Sequence, residues 1–259
     1  MKVCFVSHSP AKGGAERALL ELLEALKKRG VECCVLLPSD GPLIDELKKL
    51  RVDFCVLPYR WWMGKNSPFW KRVGRVVLNL AMAIPVAIKV KRWKCDIVYT
   101  NTITVCIGAF AAFFLRKPHV WHIHEFGQED HHLIFDLGQK FSLWLIGRLS
   151  SVCVANSNAV AKKYIQYIPP HKVKVIYQSV SVTRQSLSSQ DVFFKQTDEE
   201  AAIRCVIVGA LQDGKGQKDA IQAIGELVHR GIKAQIIVVG DGELKYREYL
   251  RELVVENGL

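Results

Sequence analysis

Residues 2–30 read KVCFVSHSPAKGGAERALLELLEALKKRG. The run KVCFVSH (2–8) is short and apolar, as a strand buried on both faces would be. From Ala15 to Lys28 the residues Leu19, Leu22, Leu23 and Leu26 recur at helical spacing, and Gly30 stops the pattern. A strand that runs through a glycine-bearing loop into a helix opens an α/β fold, and the rest of the chain repeats the alternation.

Further strand-like runs lie at 31–38 (VECCVLLP), 52–58 (VDFCVLP), 95–101 (CDIVYTN), 119–124 (HVWHIH), 151–157 (SVCVANS) and 172–177 (KVKVIY). Helical patterns run from about Phe69 to Lys91, Thr104 to Leu115, His132 to Leu149 and Asn158 to Tyr167. Together they predict a doubly wound parallel sheet of Rossmann type over residues 1–177. The polar, serine-rich stretch that follows reads as a linker over 178–202. Over 203–259 the pattern restarts with two strand–helix pairs, IRCVIVGAL with GQKDAIQAIGELVHRG and AQIIVVGDG with ELKYREYLRELVVENG. Two parallel strands cannot bury the faces of a self-sufficient domain. The expectation is a whole first domain and an incomplete second, Rossmann-like one.

Nearly half of the 259 residues are hydrophobic, so a substantial core is expected and disorder is not. The net charge of +11 favours anionic partners. No recognised nucleic-acid module is present, so nucleic acid is not an expected partner. None of the eight cysteines forms a C-x-x-C pair, and no cleavable signal precedes the first strand. Reduced, buried thiols in a cytoplasmic protein are expected.

In open parallel sheets ligands bind beyond the carboxyl ends of the strands. The unusual polar residues collect at such ends: the loop with Gly13, Gly14, Glu16 and Arg17, then Asn101, then His124 and Glu125, then Asn156 and Ser157, and in the second unit Lys215 and Gly216. The first loop is neither a P-loop nor a G-x-G-x-x-G fingerprint. Its glycines could admit a phosphate at the start of the following helix, or form a plain turn with Glu16 complementing the helix. His122 and His124 lie two apart on a strand and so share a face. No further ligand pattern completes a metal site around them, and no metal is expected. Lys215 between two glycines reads as a phosphate clamp or a surface lysine.

Between Asp53 and Asp96 there is no acidic residue. The interval carries Lys71, Arg72, Arg75, Lys89, Lys91 and Arg92 with Trp61 and Trp62 among its aromatics. Its centre, VVLNLAMAIPVAI, is too short to span a bilayer and is interrupted by Pro85. Two readings stay open: a core helix with basic ends, or a surface resting on an anionic membrane.

KGGAER, VYTNT, HVWHIHEF, VANSNAV and VGALQDGKGQKDAIQAIGEL followed by IIVVGDGE together resemble glycosyltransferase family 4, with the two-Rossmann-domain architecture called GT-B. The resemblance spans nearly all the chain except the linker and residues 60–92. It implies retaining transfer of a sugar from a nucleotide-sugar donor to a glycan or lipid-linked acceptor, with no cofactor and no catalytic metal. It also implies that donor and acceptor meet between the two domains; the expected cytoplasmic location rests on the reduced thiols, and a peripheral place at the membrane on the basic segment. Gly13 and Gly14 would line that cleft, and His124 would contact the transferring sugar. Lys215 would stabilise the departing diphosphate, where a fixed cation meets growing negative charge.

Two features depart from the family pattern. Ala210 stands where members often carry an arginine, and the Glu-x7-Glu donor motif would lie beyond Leu259. The expectation is therefore a truncated chain or one subunit of a split transferase. A non-catalytic acceptor- or membrane-binding module and a nucleotide-sugar epimerase on the same fold are the alternatives.

Overall fold

Seven parallel strands make the sheet of the first unit, in the order β3-β2-β1-β5-β6-β8-β9. They are β1 (Lys2–Val6), β2 (Glu32–Leu37), β3 (Asp53–Val56), β5 (Ile97–Asn101), β6 (His119–Ile123), β8 (Val152–Ala155) and β9 (Val173–Val175). A small antiparallel pair, β4 (Met63–Gly64) with β7 (Ile134–Phe135), stands beside the sheet. The helices of this unit are α1 (Gly14–Lys28), α2 (Leu43–Lys49), α3 (Phe69–Arg92), α4 (Ile107–Phe114), α5 (Gln128–His131), α6 (Gln139–Leu149) and α7 (Asn158–Tyr164). The computed structural model describes residues 1–179 and 203–259. The chain divides into two compact units, Met1–Thr183 and Arg184–Leu259. Apart from its first two residues, the expected linker at 178–202 lies outside the described residues.

Alternation along β1 sends its side chains into two cores. Val3 and Phe5 pack with Leu19 and Leu23 of α1 and Leu43 and Leu47 of α2. Cys4 and Val6 pack with Ala83, Val86 and Val90 of α3 and Ala111 of α4. A third core joins Trp121 and Ile123 of β6 to α6 and α7. The strand order reverses between β1 and β5, and the helices that follow these two strands lie on opposite faces.

All eight cysteines are free thiols. Cys4, Cys34 and Cys95 bring their Sγ atoms within 4.8 Å of one another in the core beneath α3, away from the strand ends. Three converging thiols were not visible as a pattern in the sequence, because they lie on β1, on β2 and in the turn between α3 and β5.

Several expectations need correction. The helix expected from His132 begins only at Gln139, because residues 134–135 pair with β4 instead. Helix α2 was not anticipated; it is two turns long and carries too few apolar repeats to register. Pro85 does not interrupt α3, which runs unbroken for 24 residues. Ala83, Val86, Ala87 and Val90 anchor that stretch in the core, which offsets the one backbone hydrogen bond that proline removes.

Trp62, expected at a membrane surface, is buried: its Nε1 donates to Ile103 O at 2.7 Å and its ring stacks on Trp121. Arg72 and Arg75 were expected there too, but both reach β7 and the turn after it. Arg72 Nε and Nη2 donate to the Asp136 carbonyl, and Arg75 forms a two-pronged ion pair with the buried Asp136 carboxylate. That pair fastens the start of α3 to the segment before α6.

The second unit pairs β10 (Ile203–Val208) with β11 (Ala234–Val239) in parallel and adds α8 (Gln217–His229) and α9 (Leu244–Glu256). Ile221, Leu250 and Leu253 form its core. The sheet face carrying Val206, Val208, Ile237 and Val239 is exposed.

Removing one partner of a buried ion pair leaves the other charge stranded. Asp136→Ala is expected to destabilise the first unit by about 3 kcal/mol, read as a fall in the urea midpoint. A change indistinguishable from a surface substitution would mean that Arg75 and Asp136 do not fasten α3.

Candidate active site

The crevice of an open parallel sheet lies where two adjacent strands send their chains to opposite faces. Here that point is between β1 and β5. Asn101 ends β5, and its Nδ2 crosses to the first turn of α1, just past the loop after β1, donating to Ala15 O at 3.0 Å. This fixes the amide, so Oδ1 is the acceptor. His124 Nε2 lies 2.9 Å from that Oδ1 and therefore carries a hydrogen. One further strand along, Asn156 Nδ2 donates to His124 O at 2.8 Å. Three strand ends are thus linked through side chains to the start of α1.

The loop itself closes on Glu16. Gly13 N donates to Glu16 Oε2 at 3.1 Å, and Glu16 Oε1 lies 3.0 Å from His8 Nδ1. Glu16 is buried and supplies negative charge at the positive end of α1. The expectation of Glu16 as a phosphate or substrate ligand is corrected: its carboxylate is turned inward, complementing the helix. Gly13 has φ −84°, ordinary for any residue. It is glycine for closeness, since a Cβ there would sit 2.7 Å from Glu16 Oε2, whereas a Cβ on Gly14 would meet nothing within 4 Å.

His8 was not singled out in the sequence, although it sits inside the loop. Trp61 donates from Nε1 to His8 O at 2.8 Å, and its ring lies 5.5 Å from the imidazole. Trp61 therefore flanks the strand-end site while staying exposed, a place that its expectation at a membrane surface did not foresee. The residue type alone could not separate the two roles.

His122 and His124 are neighbours, with ring centroids 3.9 Å apart. His122 Nδ1 pairs with Tyr99 Oη at 2.8 Å. His122 Nε2 and Asn156 Oδ1 are buried without a hydrogen-bond partner among the described residues. Burial lowers His124 to about 4, against a hydrogen bond from the Gln178 side chain that raises it. Burial and the nearby His124 lower His8 to about 4. Burial lowers His119 and His122 to about 3. At neutral pH the site presents neutral imidazoles.

The other sequence candidates separate. Glu125 is buried and its Oε1 accepts from Ile103 N at 2.8 Å, bracing the loop after β5. Ser157 caps α7, its Oγ accepting from Val160 N at 3.2 Å. Arg17 is exposed and turned toward Glu21, 3.9 Å away. The site assignments of Glu125 and Ser157 are corrected on those grounds, since their side chains already serve the fold; Arg17, exposed at the start of α1, remains a candidate. In the second unit Lys215 is exposed in the loop before α8, between Gly214 and Gly216, both at positive φ near 80°. Gly216 is the residue from which α8 starts.

Glycosyltransferase Family 4 is the family whose pattern matches residues 12–184. No curated protein matches the chain. Among solved structures, Anabaena HepE in complex with UDP is 23% identical, with TM-score 0.71, all of this chain and 67% of that one being covered. A glycosyltransferase from Rickettsia africae is 18% identical, with TM-score 0.70, covering 100% and 65%. MurG of Acinetobacter baumannii is 16% identical, with TM-score 0.58, covering 100% and 63%. At such identities the likeness shows the fold, which is GT-B-like. The chain spans about two thirds of the length of these neighbours.

Two outcomes follow from the site geometry. Gly13→Ala is expected to displace Glu16 and cost about 1 kcal/mol, the usual worth of a helix-start contact. Gly14→Ala is expected to cost nothing, and thermal unfolding of both variants checks the contrast. Stability should also fall with acid. His8, His119, His122 and His124 stay neutral in the fold while the unfolded chain protonates near pH 6.5. Their contribution is complete above that pH and is lost as pH falls through about 4, whereas Glu16, raised by burial, has the opposite sign. A flat unfolding midpoint from pH 7 to 4.5 would contradict the burial of these rings.

Proposed function

The chain belongs to glycosyltransferase family 4, and we propose that it serves transfer of a sugar from a nucleotide-sugar donor to a glycan or lipid-linked acceptor, with retention at the anomeric carbon. The observation that carries this reading is the neutral His124 imidazole one strand from the sheet's reversal point, oriented by Asn101 and bound through it to the start of α1 behind the glycine loop. A neutral, fixed N–H and a backbone that approaches closely are suited to hydroxyl groups of a sugar, where a charged imidazolium would cost desolvation.

In this reading the bond between the anomeric carbon and the diphosphate oxygen breaks, and the nucleoside diphosphate leaves with the electron pair. The acceptor hydroxyl oxygen forms the new bond on the same face of the sugar, and its proton passes to the departing diphosphate oxygen. Lys215, in a glycine-flanked loop at the start of α8, meets the charge that grows on the leaving phosphate. His124 holds the transferring sugar, and Asn101 positions His124. The Anabaena neighbour was solved with UDP, which makes UDP-sugars the first donors to try. No bound metal takes part, so EDTA is expected to leave the rate unchanged.

The test is transfer from labelled nucleotide-sugars to a lipid-linked or glycan acceptor extract. His124→Ala and Lys215→Ala are each expected to lower kcat by about 100-fold or more. Asn101→Ala is expected to act through His124, so that it adds little to His124→Ala in the double variant. Full activity in both single variants would overturn the assigned roles. Turnover of the donor to an epimer without any acceptor would replace transfer with the epimerase reading.

A further inference from the structure

One face of α3 has no partner among the described residues. Trp70, Val73, Val77, Leu80, Ile84 and Ile88 follow one another at spacings of three or four, so they form one stripe. All six are exposed, Trp70 by 71%, Val77 by 60% and Ile84 by 61%. The stripe is about 27 Å long at the helical rise per residue. No charged residue is exposed on α3 between Lys71 and Lys91. A helix facing water would carry charge there, since contiguous apolar patches of this size are rare on soluble surfaces.

Charge lies at the two ends. Lys71 is exposed at the start, and Lys91, Arg92 and Lys94 are exposed at the end. Lys91 continues the stripe's own spacing. Lys89 rests over the Trp93 ring at 4.5 Å. Phe113 and Phe114, also exposed, end α4, the helix packed against α3.

We infer that this stripe is a docking surface for an anionic phospholipid bilayer, with α3 lying in the plane of the headgroups. By length and composition the helix could cross a membrane, its most apolar 18-residue window having mean hydropathy 1.7. Its other face, however, is the wall of a core: Ala83, Val86, Ala87 and Val90 pack on β1 and β2. Crossing a bilayer would empty that core, whereas lying on a surface keeps it. Apolar side chains, interfacial tryptophan and flanking lysines and arginines are the chemistry of in-plane helices on anionic lipid.

A second copy of the chain fits less well. Two such stripes meeting antiparallel would set basic end against basic end, and no acidic residue lies between Asp53 and Asp96 to compensate. The residues involved are not those at the strand ends. Lipid docking therefore stands apart from the transferase reading and is measured without donor or acceptor.

The experiment is co-sedimentation of the chain with phosphatidylglycerol–phosphatidylcholine vesicles and with phosphatidylcholine vesicles alone, at low and high salt. Binding is expected to the anionic vesicles and to weaken with salt. Val77→Glu with Ile84→Glu is expected to weaken it at least tenfold. Lys91→Glu with Arg92→Glu is expected to bring anionic binding down to the neutral level. Circular dichroism melts show whether each variant remains folded, and Val77→Ser with Ile84→Ser replaces the glutamates if it does not. No sedimentation with either vesicle, equal binding to both, or a solution dimer that the Val77 and Ile84 changes split into monomers would each overturn the proposal.

Discussion

Parallel strands that sit side by side cannot share a turn, and where the strand order reverses their chains must leave toward opposite faces. That parting, between β1 and β5, is the constraint on which the first unit depends. It puts α1 and α2 on one face and α3 and α4 on the other, and it leaves backbone and polar side chains at the strand ends without neighbours. The chain fills the gap with a short network: Glu16 closes the glycine loop, Asn101 spans from β5 to the first turn of α1 behind that loop, and His124 hangs from Asn101. The network orients an imidazole without charging it, because burial works against the charged form.

The same parting gives α3 its double character. One face completes the core over β1 and β2, and the start of the helix is pinned by Arg75 on the buried Asp136. The opposite face is left apolar, with cations at its ends. Two of the arginines that raise the positive charge of this segment are thus spent inside the fold, and the exposed cations are fewer than composition suggests. What remains outward is a narrower and more ordered surface than a count of basic residues describes.

Apart from α2 and the start of α6, the main alternation of strands and helices was legible, because apolar periodicity is a property of neighbouring residues. The strand ends at Asn101, His124 and Asn156 were legible for the same reason: polar residues interrupt apolar runs there. The inward turn of Glu16 was less so, since a carboxylate at a helix start reads alike whether it faces a ligand or its own backbone. His8 escaped notice because nothing in the loop marks which of its polar residues the fold will carry to the crevice. Trp61 and Trp62 are adjacent and chemically identical, yet one edges the site and the other stacks on Trp121 in the core.

The sequence by itself determined the βα alternation, the parallel class of sheet, the second α/β unit and the address of the site at the strand ends. All of these depend on spacing within a dozen residues. The tertiary structure alone decided the strand order, the convergence of Cys4, Cys34 and Cys95, the Arg75–Asp136 pair and the face of α3 that stays uncovered. Each of those joins residues from separate elements, and the physical reason is common to them. Local periodicity states which side of an element is apolar, but only the packing of distant elements states which apolar side finds a partner.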